Sequence, residues 1–141
     1  MWNSFLMEGE NKMGQIKIYG VKDKLNPIKE KLSAIIHSCM VESLEFPSDK
    51  KFHRFFPMDK EDFYFAGGRT EAYTIIEVSM FEGRKVESKK HLIKLLFERI
   101  ESELSISPQD VEITIFETPK HNWGIRGLPG DELALNYKVN V

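Results

Sequence analysis

The chain has 141 residues, the length of one ordinary domain, and its 41% hydrophobic and 30% charged residues are typical of a globular protein. A net charge of −2 with interspersed signs excludes the basic footprint of a nucleic-acid-binding protein. No apolar run approaches the roughly 18 residues of a membrane span, so we expect no membrane partner either. Cys39 is the only cysteine, which excludes an internal disulfide and fits the reducing cytoplasm, where we expect the protein to reside.

Residues 1–13 differ from the rest of the chain, because they lack both the hydrophobic periodicity of a folded element and the basic start of a secretory signal. We expect them to form a flexible extension ahead of one domain over residues 14–141. Met13 is a possible second start of translation.

The first half of the domain shows a strand, a helix and another extended segment. Residues 16–19 alternate as a strand does, and Asn26 followed by Pro27 predicts the start of a helix that ends near Ser43. Residues 51–58 are then extended and rich in aromatics. The apolar face of the helix consists of Ile28, Leu32, Ile35, Ile36, Cys39 and Met40.

The second half repeats this order after a connector at residues 59–69. The β-branched run at residues 73–81 is the strongest strand signal in the chain. Apolar side chains three and four apart predict a helix over 86–104, and alternation predicts a strand over 111–117. A glycine-punctuated tail occupies 118–141.

Two pseudo-repeats, at about 15–58 and 73–117, therefore follow each other at a spacing of roughly 60 residues. Each is a β-α-β unit, which normally forms a parallel crossover. The order βαββαβ predicts an α+β domain with a four-stranded mixed sheet and two helices on one face. Because two helices cannot cover both faces of the sheet, we expect oligomerisation through an apolar open face.

The sequence contains no clear pattern for a metal site, a nucleotide-binding site or a catalytic nucleophile. The four histidines, His37, His53, His91 and His121, are scattered, and no helical pair has metal-ligand spacing. Neither glycine cluster matches a phosphate-binding or dinucleotide fingerprint, so we expect no cofactor. Cys39 lies on the apolar helix face, which favours a packed core thiol.

Arg84 is the first of three arginines with a possible binding role. It follows the strongest strand and precedes a helix, where a guanidinium beside backbone N–H groups suits a small carboxylate. The alternative is a surface arginine paired with Glu82 or Glu87.

Arg126 and Arg54 are the other two. Arg126 lies between glycines near Trp123, which suits either a pocket or a solvated loop anchored by the tryptophan. Arg54 alternates with Phe52 and Phe56, which fits either a pocket wall or a paired structural charge.

Several short segments together resemble the tautomerase superfamily, in the long, fused class similar to malonate semialdehyde decarboxylase. The resemblance covers residues 14 to 133 approximately, and its specificity comes from the order and spacing of the segments. They are Phe81-Glu82-Gly83-Arg84, Ile106-Ser107-Pro108-Gln109-Asp110-Val111, Trp123-Gly124-Ile125-Arg126-Gly127, Arg54-Phe55-Phe56, Glu61-Asp62-Phe63-Tyr64 and Gly68-Arg69.

The resemblance implies a duplicated βαβ fold of the tautomerase or MIF-like type and a homotrimer. It also implies tautomerisation, dehalogenation, hydration or decarboxylation of small keto or unsaturated acids. In this family the base or acid is an amino-terminal proline, whose secondary amine has a low pKa in an apolar pocket. Arginines bind the carboxylate or carbonyl of the substrate.

Gly14 stands at the position of that proline, and the first proline in the chain is Pro27. A chain that begins at Met1 has an internal amide at Gly14. A chain that begins at Met13 exposes a Gly14 amine once the methionine is removed.

The decarboxylase pattern is kept only in part. Arg84 matches the second of two active-site arginines and Trp123 matches a pocket tryptophan, whereas Glu82 replaces the first arginine. Lys50 replaces the catalytic aspartate, although Asp49 is adjacent.

Three functions remain open from the sequence. The first is a protein that binds a small keto or enol carboxylic acid through Arg84, Trp123, Arg126 and Arg54, without classical proline-dependent activity. The second is an active tautomerase, decarboxylase or hydratase, an isomerase or lyase by class, that uses the Gly14 amine or a water. The third is a non-catalytic trimer that binds a partner.

Overall fold

The computed structural model describes residues 14–133. The predicted extension at residues 1–13 and the end of the predicted tail lie outside the described residues. The main strands are β1 (Gly14–Val21), β2 (His53–Met58), β3 (Thr74–Phe81) and β4 (Val111–Thr118). The helices are α1 (Lys22–Leu25), α2 (Lys29–Leu44) and α3 (Val86–Leu104), and a small hairpin pairs β5 (Gly124–Ile125) with β6 (Leu128–Pro129).

The four main strands form one mixed sheet in the order β2-β1-β3-β4. Each β-α-β unit contributes a parallel pair, and the two units join through antiparallel β1 and β3. This confirms the predicted α+β fold with its duplicated unit. The antiparallel register sets Gly14 opposite Met80, which brings the start of β1 beside the end of β3.

The core lies between the sheet and the two long helices, which pack together on one sheet face. Every second residue of β1 and β3 points into it, as the alternating hydrophobic pattern predicts. Full burial of a side chain such as Ile18 or Leu96, both 0% exposed, stabilises the fold by about 1.5–3 kcal/mol. Among residues 14–133, no helix is both long enough and apolar enough to cross a membrane.

The predicted helix start at Asn26 and Pro27 is wrong in detail. The chain is already helical in α1, and Asn26–Ile28 is a 3₁₀ turn between α1 and α2. Asn26 has αR dihedrals (φ −55°, ψ −43°) and its side chain caps nothing. Proline is tolerated there because backbone N–H groups near the start of a helix have no intrahelical acceptor. The N–H that proline lacks would therefore not have been used.

The open face of the sheet is mixed rather than apolar, which corrects the expectation. Tyr19 donates a hydrogen bond from its hydroxyl to Glu77 Oε1 at 3.0 Å, and its ring stacks on Phe56 at 4.8 Å between centroids. Phe56 and Phe116 are exposed on this face, at 38% and 46%. Phe55, by contrast, packs against the core on the helix face.

The connector between the halves folds against the far end of the sheet. Phe63 stacks on Tyr73 at 5.6 Å between centroids, and Phe65 packs against the same ring. Nearby, the buried Asp110 carboxylate accepts hydrogen bonds from the N–H and the hydroxyl of Thr70, both at 2.7 Å. These contacts tie the connector to the loop that precedes β4.

Candidate ligand-binding site

Three strand ends meet at one end of the sheet and gather most of the predicted site residues. Gly14 begins β1, and Arg84 follows the end of β3 after Gly83. The neighbouring strand β4 runs parallel to β3 and ends at Thr118, which is in register with Phe81. Polar groups from both halves of the chain therefore approach one another here.

Gly14 is buried against the ring of Phe46. A Cβ atom built on Gly14 would lie 2.8 Å from Phe46 Cε2 and 3.0 Å from Cζ, which is closer than real Cβ contacts. The αL residue Glu45 (φ 56°) ends α2 and turns the chain, and the Phe46 side chain returns to the core. The ring of Phe46 thus fills the space that a side chain at position 14 would need.

The nitrogen of Gly14 faces β2. Ile16 N donates to Phe52 O at 2.9 Å, and N–H groups two residues apart on a strand point the same way. The turn before β2 contains Asp49 and Lys50, and it leads into the strand that pairs with β1.

Arg84 contacts the same aromatic ring. Its Cζ atom is 5.4 Å from the centroid of Phe46, within cation–π range. Gly83 makes the turn that positions Arg84. Its φ of +118° is a backbone conformation that residues other than glycine rarely adopt. Burial lowers the pKa of the Arg84 guanidinium and Glu117 opposes this by raising it, yet an arginine stays protonated at neutral pH.

Lys89 and Glu117 complete the charged groups near Arg84. Lys89 Nζ donates to Glu117 Oε1 at 2.7 Å, and both side chains are largely buried. Glu117 is thus paired with Lys89, and its charge also acts on Arg84. Within residues 14–133, Glu117 Oε2 and Thr118 Oγ1 are buried and have no hydrogen-bond partner.

Trp123 belongs to the same end of the sheet. Its ring meets Phe81 edge to face, at 5.2 Å between centroids and 80° between planes. Gly130 N donates to its carbonyl at 2.6 Å, which anchors the small hairpin. Trp123 is half-buried beside an open groove formed by residues 121–129.

Arg126 lies at the exposed tip of that hairpin. Arg126 and Gly127 have φ values of 51° and 88°, as a two-residue type I′ turn requires. Arg54 lies on the open face of the sheet, where its Nη1 donates to Gln15 Oε1 at 3.2 Å. Within one chain, the structure groups Gly14 with Arg84 around Phe46, and it leaves Arg54 on the opposite sheet face.

Two of the histidines, His37 and His53, are closer together than the sequence indicated, but their contacts are structural. The rings of His37 and His53 are 6.2 Å apart, and His53 Nδ1 is 2.8 Å from Ser33 Oγ. Burial, with Lys51 and His37 nearby, lowers the pKa of His53 to about 4, so this histidine is neutral. Over residues 14–133, no three His, Cys, Asp or Glu side chains are arranged to hold a metal ion.

The buried thiol of Cys39 belongs to the core. Burial raises its pKa to about 11, which keeps the group protonated and unreactive. This agrees with its position on the apolar face of α2.

Sequence reasoning missed Phe46, Lys89, Glu117 and Thr118. Only Glu117 had a signal in the sequence, because it continues the alternation of Val111, Ile113 and Ile115. That alternation places its carboxylate on the helix face of the sheet, at the end of the strand. Phe46 had no such signal, because its contact with Gly14 joins a turn to a strand that lies far away in sequence.

Comparison with known proteins identifies the family to which this chain belongs. A family model for tautomerase enzymes matches residues 50–126, more than half of the chain. The chain belongs to the tautomerase family. It is 30% identical over 99 residues to the probable tautomerase YusQ of Bacillus subtilis (strain 168), covering 67% of the chain and 78% of YusQ. It is 33% identical over 58 residues to 2-hydroxymuconate tautomerase of Comamonas testosteroni, covering 41% of the chain and 92% of that enzyme.

Solved structures share the tautomerase fold. Malonate semialdehyde decarboxylase aligns with a TM-score of 0.73 at 19% identity, over 90% of this tautomerase chain and 98% of the decarboxylase. Native fused 4-OT aligns with a TM-score of 0.76 at 21% identity, over 84% of the chain and 98% of that protein. Arg84 and Trp123 fall inside the stretch that the family model matches, whereas Gly14 lies outside it.

Proposed function

We propose that this tautomerase-family protein binds a small keto or enol carboxylic acid at the end of the sheet that carries Gly14 and Arg84, without classical proline-dependent catalysis. The observation that supports this most is the shared Phe46 ring, which lies against both Arg84 and Gly14, the position of the family's catalytic amine. Arg84 and Lys89 also place two cations at this end of the sheet, and a guanidinium suits a carboxylate ligand.

The chemistry of the neighbouring groups narrows the ligand. Glu117 Oε2 can accept a hydrogen bond from an enol or hydroxyl group, and Thr118 Oγ1 can donate one to a carboxylate or carbonyl oxygen. Both atoms are buried, and such atoms are normally paired in proteins. A ligand with an enol or hydroxyl group would satisfy Glu117 Oε2, whereas Thr118 is the next residue of β4 and points to the opposite face of the sheet. In this proposal Trp123 forms a wall of the site. Arg126 and Arg54 lie at the hairpin tip and on the open sheet face, so they would bind the ligand only from a neighbouring subunit.

Catalysis would depend on the group at position 14. The relatives include a 2-hydroxymuconate tautomerase and a malonate semialdehyde decarboxylase with decarboxylase and hydratase activities. Here the residue is glycine, whose nitrogen is basic only when it is the amino terminus. An active tautomerase, decarboxylase or hydratase would therefore require the Gly14 amine or a water as its base.

Substitution of Arg84 tests the binding proposal. We expect Arg84→Gln to weaken binding of pyruvate, a minimal 2-oxo acid, by about tenfold or more, since it removes a charge-assisted hydrogen bond. Arg84→Lys should have a smaller effect, because it keeps the charge but loses the planar fork. Titration followed by NMR of the isotope-labelled protein measures both.

Arg99 provides the matched control for Arg84. It forms an ion pair with Glu42 between the two long helices, away from the strand ends. Arg99→Gln removes the same charge and should bind pyruvate as the unmodified chain does. Equal affinities of Arg84→Gln and the unmodified chain would refute the proposed site.

We also propose a homotrimer assembled through the open face of the sheet. Fused 4-OT proteins of this fold form symmetric and asymmetric trimers. The exposed Phe56 and Phe116 give the open face apolar surface, and Lys17 and Glu77 give it charges that neighbouring subunits can pair.

Sedimentation tests the assembly. We expect a mass of three times the 16.4 kDa chain, and dissociation to monomers in Phe116→Asp, because association would bury the new charge. Tyr64→Asp is the control, since Tyr64 is 87% exposed in the connector. A monomeric unmodified chain, or a Phe116→Asp protein that stays trimeric, would contradict this interface.

A further inference from the structure

The two halves of the chain correspond residue by residue at a constant offset of 60. Gly14 begins β1 and Thr74 begins β3, and the two strands have the same alternation of buried residues. The helices end at Glu45 and Ser105, both in the αL conformation with φ values of 56° and 57°. The sheet therefore has two equivalent ends, one at the start of each half.

Packing of side chains follows the same offset. Phe63 packs in one cluster with Val21, and Trp123 packs against Phe81. Each of these aromatics follows a 3₁₀ turn, Lys60–Asp62 or Lys120–Asn122, and donates its N–H to the first carbonyl of that turn. The equivalence thus extends from the backbone to the contacts that surround each sheet end.

A cavity of about 210 Å³ lies at the second of these ends, where β1 finishes and β3 starts. Its lining includes Gly20, Leu25, Ala72, Thr74, Leu104 and Ile106. By the offset, Ile106 stands where Phe46 stands in the first half. Because isoleucine lacks the aromatic ring, it leaves open a volume that corresponds to the one Phe46 occupies beside Gly14.

Lys24 also lines this cavity, and it stands at the offset position of Arg84. Its side chain is exposed, and none of the ion pairs among residues 14–133 involves it. A cation at the mouth of a small, mostly apolar cavity favours a ligand with one carboxylate and a short hydrocarbon chain.

We propose that this cavity is a second ligand site, which binds a small aliphatic monocarboxylate with its carboxylate on Lys24 and its hydrocarbon chain between Leu25 and Ile106. The site differs from the first in chemistry. It has a point charge in place of the arginine fork, and the threonine at the position of Gly14 has an amide nitrogen inside the chain. It is therefore a binding site and not a catalytic one.

Pentanoate is the probe, titrated into the full isotope-labelled chain and followed by NMR. We expect amide shifts at Thr74 and Ser105, and a roughly tenfold loss of affinity in Lys24→Gln, as for other lost charge-assisted contacts. Lys94→Gln, an exposed lysine on α3, should leave the affinity unchanged. Pentanol, which has the same chain without the charge, should bind more weakly than pentanoate.

A second variant tests the cavity itself. Ile106→Phe introduces the ring that the first half has at this position, and we expect it to abolish the Thr74 and Ser105 shifts while the protein stays folded. Arg84→Gln should retain pentanoate binding at Lys24, which separates this site from the proposed keto-acid site. Unchanged affinity in Lys24→Gln, shifts confined to the residues around Gly14, or full binding in Ile106→Phe would overturn the proposal.

Discussion

Phe46→Ala should lower the free energy of unfolding by about 3–5 kcal/mol, the usual cost of removing a buried aromatic side chain. Phe46 is 5% exposed and lies in the main core, so its removal leaves a cavity between Gly14 and Arg84. For a domain of this size, at about 4 °C per kcal/mol, such a loss lowers the melting temperature by about 12–20 °C. Thermal and denaturant unfolding measure it.

Phe46→Leu separates the role of the ring in the site from its role in the core. Leucine keeps most of the apolar contact, so the fold should survive with a smaller loss of stability. It has no π-face for the guanidinium, and an interaction worth about 0.5–2 kcal/mol disappears. We expect pyruvate to bind several-fold more weakly. Phe97→Leu is the control, because Phe97 packs on the same core from α3. Equal affinities in the two variants would show that the Phe46 ring does not position Arg84.

The regular part of the fold follows from local sequence patterns. Alternation over residues 73–81 and the apolar spacing over 86–104 are periodic signals, and the structure has β3 at Thr74–Phe81 and α3 at Val86–Leu104. The first helix was less predictable. Asn26 and Pro27 form a common start signal, but helical backbone begins earlier, at Lys22, and the capping group stays unused.

The candidate site was predictable only where a family motif marked it. Arg84 has a local cause, since it follows a strand and a glycine turn. The contact of Phe46 with Gly14 depends instead on how the turn after α2 returns to the start of β1, and no short-range pattern encodes that. The open face shows the same limit, because alternation places Phe56 there but does not reveal that Tyr19 and Glu77 make the surrounding surface polar.

Gly14→Ala should destabilise the protein by about 1–3 kcal/mol, the usual range for overpacking a core. The added methyl group would lie 2.8 Å from Phe46 Cε2, so the ring has to move. Gly124→Ala is the matched control. A Cβ atom there meets nothing within 4 Å, and Gly124 is not among the positive-φ glycines. That substitution should be neutral or slightly stabilising, since alanine restricts the unfolded chain. Equal stabilities of the two variants would contradict the contact.

The same contact predicts what a proline at position 14 would require of the residues around it. In a chain that starts at residue 14, Gly14→Pro alone should give a destabilised protein with little tautomerase activity, because proline adds atoms against the ring of Phe46. Adding Phe46→Leu makes room, and we expect this double variant to recover stability and to convert the enol form of a small 2-oxo acid to the keto form. Ultraviolet absorbance of the enol follows the reaction.

Arg84→Gln in the background of the double variant completes the test. If the amine and the guanidinium serve one ligand, this third substitution should remove most of the gained activity, since both groups contact the substrate in the transition state. A folded double variant without activity would mean that a proline at position 14 is not sufficient for this reaction. Full activity from Gly14→Pro alone would mean that the Phe46 ring moves aside at little cost in stability. Packing would then not require glycine at position 14.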